Sequence, residues 1–135
     1  MEYLDALAAQ GRDANPFFRL MEIEVGTYGD GGADLSMRIR PDMLNGAGWL
    51  QGGVFVALAD EAMALALCTV LEEGEGIATI SENTSFLRGV SSGTITATAR
   101  VIRKGRRVAF TEGEITSTDG TLLSRTTASF AVVKA

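Results

Sequence analysis

The chain has 135 residues, 46% of them apolar and 21% charged, which is the length and balance of one globular domain with a core of its own. Its net charge of −5 argues against a general nucleic-acid binder. It contains no histidine and one cysteine, Cys68, which excludes Ser-His-Asp and Cys-His catalysis, His-ligated zinc, His-dependent dehydration, an intrachain disulfide and any CxxC motif.

The N-terminal residues MEYLDALAAQGRD are acidic and lack the charged and apolar regions of a signal peptide, so they are expected to belong to the mature fold. Tyr3, Leu4, Leu7 and Ala8 share one helical face. Asn15-Pro16 breaks that pattern ahead of Phe17-Phe18-Arg19-Leu20. Met21, Ile23 and Val25 then alternate with Glu22 and Glu24. A Gly29-Asp30-Gly31-Gly32 turn follows, and Leu35, Met37 and Ile39 alternate with polar residues beyond it, which predicts a β-hairpin. Pro41 to Gly53 is irregular. Val54 to Leu71 is rich in Ala, Leu and Met and apolar almost all round, which predicts a buried helix. Asp60 and Glu61 near its middle would cost about 2.5–3.5 kcal/mol each in a bilayer, so a soluble core helix is the better reading and no membrane partner is expected.

Four β segments complete the chain: Ile77–Leu87, Gly93–Lys104, Arg106–Thr118 and Thr121–Val133. Strands segregated around one central helix imply an α+β fold, an antiparallel sheet wrapped on that helix, in a single domain over 1–135.

Three features could carry chemistry. Asp60 is a poor helix-interior residue, and a buried carboxylate costs several kcal/mol unless paired. It is either functional, or placed at a subunit interface or where the helix meets solvent. Glu61 is 100° away and cannot face the same environment. Gly46, Gly48, Gly52 and Gly53 cluster before the helix, whose free N–H groups attract an oxyanion; the same glycines also suit a flexible helix start with no ligand. Arg100, Arg103, Lys104, Arg106 and Arg107 surround the Gly105 turn, as a phosphate-binding spot or as a solvated hairpin tip. Cys68 reads as core filler, and Trp49 and Phe55 as packing or as pocket lining.

These pieces together resemble a known family. Asn45-x-x-Gly48-x-x-Gln51-Gly52-Gly53 followed by Ala57-Leu58-Ala59-Asp60 is similar to the signature of hotdog-fold acyl-CoA thioesterases, nearest to the phenylacetic-acid-degradation branch. Asn83-Thr84-Ser85-Phe86-Leu87-Arg88 and Arg103-Lys104-Gly105-Arg106-Arg107-Val108-Ala109-Phe110 are similar to two further motifs of that branch, so the match spans nearly the whole chain. A single cysteine fits a reducing cytoplasm, and the resemblance implies a homodimer or dimer-of-dimers tetramer with sites at the subunit interface. It also implies hydrolysis of an aryl- or medium-chain acyl-CoA, with no metal or bound cofactor. In that picture Asp60 is general base or nucleophile, Gly52 N–H polarises the carbonyl, and Asn45 orients water or the carboxylate. Thr79, on the partner's strand, holds the water. Gln51 and Gly53 line the substrate site, and Arg88, Arg103, Lys104, Arg106 and Arg107 are candidates for the CoA phosphates. Gln51 stands where the branch usually has histidine; its amide can bond a carbonyl but carries no titrating proton. A noncatalytic acyl-CoA-binding protein is the alternative.

Overall fold

The computed structural model describes residues 1–134. Three α-helices, α1 (Glu2–Gln10), α2 (Pro16–Met21) and α3 (Gly52–Cys68), accompany six strands. These are β1 (Glu24–Gly29), β2 (Gly32–Arg38), β3 (Glu75–Phe86), β4 (Thr94–Lys104), β5 (Val108–Ser117) and β6 (Leu122–Lys134). They form one antiparallel sheet in the order β1-β2-β4-β5-β6-β3, with α3 packed on its inner face. This is the hotdog fold, an α+β sheet wrapped on one helix.

The hairpin expected between the first two strands is present. Its turn residues Asp30 and Gly31 both have positive φ, 51° and 83°, the geometry that matches the twist of the flanking strands. Gly31 N–H donates to Thr69 Oγ1 at 2.8 Å, and that hydroxyl donates to Ala66 C=O at 2.7 Å, which pins the turn to the C-terminal end of α3.

The bounds of two helices differ from the sequence reading. Met21 belongs not to a strand but to α2. Asn15 caps this short helix by accepting from Phe17 and Phe18 N–H, with Pro16 in the first helical position, where its missing N–H costs nothing. The long helix starts at Gly52 rather than Val54 and ends at Cys68 rather than Leu71. Asn15 also ties the helices together. Its Nδ2 donates to Tyr3 Oη at 2.8 Å and to Glu61 Oε1 at 3.2 Å, joining α1, α2 and α3. Asn15→Ala should therefore cost about 2 kcal/mol, a cap plus bonds to half-buried groups, read as a lower denaturation midpoint at unchanged m-value.

Leu58, Ala59, Ala62, Met63, Leu65, Ala66 and Leu67 of α3 are buried against Leu35, Met37, Ile95, Ala97, Ile115 and Phe130 of the sheet. Gly113 of β5 lets the helix approach: a Cβ there would stand 3.3 Å from Met63 Cγ. At the other end of the core, Glu75 has a side chain only 1% exposed, ion-paired to Lys104 at 3.0 Å and Lys134 at 3.6 Å. The Glu72 N–H and then Lys104 hold its carboxyl below the usual range.

Candidate active site

Asp60 lies eight residues into α3, half-buried, where the helix passes β3. Thr79 of the same chain donates its hydroxyl to Asp60 Oδ1 at 3.2 Å. This corrects the expectation that Thr79 meets the site from a partner's strand. The return from α3 into β3 is short, so β3 runs back along the helix of its own subunit. Glu61 turns the other way, to Asn15, as its 100° offset from Asp60 requires. Burial is the main cause that pushes Glu61 up, with Asn15 opposing and Asp60 adding to the rise.

A third residue at this point was not singled out from the sequence. Glu82 of β3 sits against Asp60, and burial first, then the hydrogen bond and charge of Asp60, push its carboxyl up to about 8. Its position follows from a β-bulge. Thr79 pairs with Phe130 and Ser81 with Ser129, leaving Ile80 as the extra residue. From there the faces of the strand invert, so Glu82 and Thr84 are half-buried while Ser81 and Asn83 are exposed.

The N-terminus of α3 is the second part of the site. Gln51 precedes it without a side-chain cap, and Val54 N–H returns to Gln51 C=O. The N–H groups of Gly52 and Gly53 make no backbone bond among the described residues and are positioned to receive an acceptor. The Gln51 side chain folds toward Gly53, with Oε1 only 2.7 Å from where a Cβ would stand. Phe86 lies beside Gly52, its ring 3.4 Å from the Cβ position there and edge-to-face with Phe55 at 5.9 Å and 78°. Trp49 and Leu87 are also exposed, and Trp49 packs on Gly89.

Asn45 builds the loop. Its Oδ1 accepts from Ala47 N–H at 2.9 Å and Trp49 N–H at 3.1 Å, an arrangement short Asn side chains favour in turns, and it makes no hydrogen bond to Asp60. Arg88 is exposed just past Phe86. The cationic hairpin divides. Arg103, Arg106 and Arg107 are exposed and unpaired among the described residues, whereas Lys104 points inward to buried Glu75. That pairing also places the hairpin at the Glu75 end of β3, eleven residues or roughly 35 Å from the Phe86 end where Gly52 lies. One chain therefore does not bring its own hairpin and its own helix N-terminus together. Among the described residues no group of three His, Cys, Asp or Glu is placed to hold a metal ion, and no helix is long and apolar enough to cross a membrane.

Comparison with known proteins bears on the family and the fold. Residues 47–124 match the family model of the thioesterase superfamily. The chain is 29% identical over 112 residues to the 1,4-dihydroxy-2-naphthoyl-CoA hydrolase of Listeria monocytogenes, covering 83% of this chain and 91% of that one. Among solved structures it is similar to a thioesterase of Haemophilus influenzae, with a TM-score of 0.83 and 29% identity over 89% of this chain and 84% of the other. A phenylacetic acid degradation-related protein of Ralstonia eutropha matches with a TM-score of 0.86 and 27% identity, covering 96% and 98% of the two chains. With the helix-wrapping sheet and more than half of its length matched to the family, this chain belongs to the thioesterase superfamily and is a thioester hydrolase of hotdog fold.

Proposed function

We propose that the chain hydrolyses an aryl- or medium-chain acyl-CoA to the free acid and CoA, in the cytoplasm, at a site completed by a second copy of itself. The observation that carries this reading is Asp60, which shares with Glu61 alone the charge of an otherwise apolar helix, meets Thr79 where Glu61 turns away to Asn15, and lies in a helix whose N-terminus presents free N–H groups. In the general-base route, water attacks the thioester carbonyl carbon as Asp60 takes one of its protons. The developing oxyanion rests on Gly52 N–H. The C–S bond then breaks, and the CoA sulfur leaves with the electron pair and recovers the proton from Asp60. In the nucleophilic route Asp60 attacks the carbonyl carbon, the C–S bond breaks and CoA leaves as the thiolate. Water then opens the resulting anhydride to the free acid and the Asp60 carboxylate, its released proton going to the thiolate.

Distance supports the second copy. Eight residues of helix separate Gly52 from Asp60 by about 12 Å, and an oxygen bound to Gly52 N–H lies farther out still, beyond the helix end. Base, water and carbonyl carbon together span only about 6 Å. In this reading Asp60 and Thr79 of one subunit work with Gly52 of the partner subunit. β3 supports this: it is the last strand of the sheet, twelve residues long, with Ile80 and Phe86 exposed on it and Leu87 exposed just beyond its end. The apolar surface of Phe86, Leu87 and Trp49 beside Gly52 suits an acyl group, and the aryl substrate named for the Listeria relative favours an aryl ester. Gln51 and Gly53 flank the same helix end. Asn45 shapes the loop there, and its Nδ2 is the atom it would offer to water.

The test is thiol release from a panel of aryl- and fatty-acyl-CoA esters. Turnover supports the reading, and the preferred ester sizes the pocket. Silence across the panel, with the esters still raising the melting temperature, would leave an acyl-CoA-binding protein and direct suspicion to Gln51.

Arg88 and the hairpin cations Arg103, Arg106 and Arg107 are assigned to the CoA phosphates, with Lys104 contributing through its hold on Glu75. Neutralising Arg106 and Arg107 together is expected to raise KM about tenfold while kcat changes less, because phosphate contacts hold ground and transition states alike. An unchanged KM would remove the hairpin from the site.

A further inference from the structure

The strand that brings Thr79 to Asp60 brings a second carboxylate as well. The bulge at Ile80 makes Glu82, rather than Ser81, the next side chain turned toward α3. Its cross-strand neighbour Ala128 is buried in the core. Glu82 Oε1 is closed to solvent and receives no hydrogen bond among the described residues, and the register turns its carboxyl to the same inner face of β3 as Thr79, whose hydroxyl donates to Asp60. Two carboxyl groups that meet bond only through a proton, and like charges held together in a half-buried site do not both ionise at neutral pH.

We propose that Asp60 and Glu82 work as a monoprotonated pair, in which neutral Glu82 donates its O–H to Asp60 and, with Thr79, fixes the orientation of that carboxylate toward the thioester. Glu82 is thus a positioning residue: during hydrolysis it keeps its own proton, while Asp60 takes and returns the proton of water. The assignment rests on the reading of Asp60 as base or nucleophile. The ionisable neighbours are few. From α3, Asp60 faces Glu82, while Glu61 turns to Asn15. From β6, Ala128 faces it, whereas Arg125 is engaged with Glu112 and Glu114 on the outer face, and Lys134, with Lys104, is gathered at Glu75. The rise of Glu82 to about 8, with burial as its first cause and Asp60 the only charge contributing, agrees with this pairing. A proton lost there belongs to the pair as a whole. Once it is gone, Asp60 has lost a donor and a second negative charge opposes the oxyanion.

The test is the pH dependence of kcat for the whole protein on an ester it turns over, with spontaneous hydrolysis subtracted. Wild type is compared with Glu82→Gln, which keeps an N–H donor but has no proton to lose. Wild-type kcat is expected to fall about tenfold or more between about pH 7 and about pH 10, whereas E82Q starts roughly two- to tenfold lower and stays flat. Superimposable profiles would overturn the proposal.

Stability provides an arm that needs no turnover. Glu82 keeps its proton in the folded chain above the ordinary value of 4.5 and up to about 8, while the unfolded chain releases it, so wild-type stability declines as pH rises through that window. E82Q escapes the decline. The melting-temperature difference, E82Q minus wild type, should therefore widen with pH, and less so in an Asp60→Asn background, where burial alone still raises Glu82; equal widening in both backgrounds overturns the pairing. A difference that does not widen overturns the pairing. A widening difference in a protein with no Asp60-dependent turnover of any ester would instead strike the reading of Asp60, and with it the role of Glu82 in hydrolysis.

Discussion

Asp60→Asn is expected to lower kcat for acyl-CoA hydrolysis by about 10³-fold while acyl-CoA esters still raise the melting temperature as they do for wild type. The two halves of this result depend on different atoms. Asn keeps an oxygen in the place of Oδ1, so the hydroxyl of Thr79 retains its acceptor and the local packing of α3 on β3 is preserved. What is lost is an oxygen that can accept a proton or attack a carbonyl. The contacts proposed for binding, at the helix N-terminus, the exposed aromatics and the hairpin cations, lie elsewhere and are untouched. The variant also removes one of two adjacent carboxyl groups, so its folding stability should equal or exceed that of wild type near neutral pH. Loss of turnover through misfolding would show as a lower melting temperature. Turnover at the wild-type rate would remove Asp60 from the chemistry.

How far the site could be read from the chain follows from which interactions are local. The buried helix was legible because Val54 to Leu71 has helix-forming residues and no polar face, and Asp60 stood out against that background. The first hairpin was legible because Asp30-Gly31 supplies two positive-φ positions between alternating runs. The short helix α2 carries an Asn-Pro start signal, but its five further residues form less than two turns, too few for a helical period to separate from the strand alternation that follows. Thr79 lies one bulge away from Glu82, and period-2 counting from Thr79 puts Ser81 and Asn83 inward and Glu82 outward. The extra residue Ile80 reverses that result, and only the pairing of β3 with β6 reveals it. A glutamate amid the Ser, Thr and Asn of an otherwise uncharged strand segment was the available signal. The commitment of Lys104 is likewise nonlocal: its partner Glu75 is 29 positions away in sequence, while adjacent Arg103 and nearby Arg106 and Arg107 face out.

Gly52→Val is expected to lower kcat about 10²–10³-fold, the loss associated with one oxyanion donor, although the backbone N–H itself is not deleted. A Cβ at this position would already stand 3.4 Å from two atoms of the Phe86 ring, so a branched side chain must displace the ring or tilt the first turn of α3, moving the N–H away from the carbonyl oxygen. Because Gly52 and Asp60 lie about 12 Å apart along one helix, the proposed composite site puts the two inactivating changes in different halves. That yields a decisive mixture. Gly52→Val and Asp60→Asn chains, unfolded and refolded together in equal amounts, form hybrid dimers in about half of the population. Each hybrid has one site carrying both lesions and one carrying neither, so about a quarter of wild-type turnover should return from two nearly inactive proteins. If Gly52 and Asp60 served the same thioester from within one chain, every site in every hybrid would carry a lesion and no turnover would return. Recovery near a quarter thus establishes the composite site, and its absence, with hybrids demonstrated by mass, would return both residues to a single subunit and remove the geometric argument for the second copy.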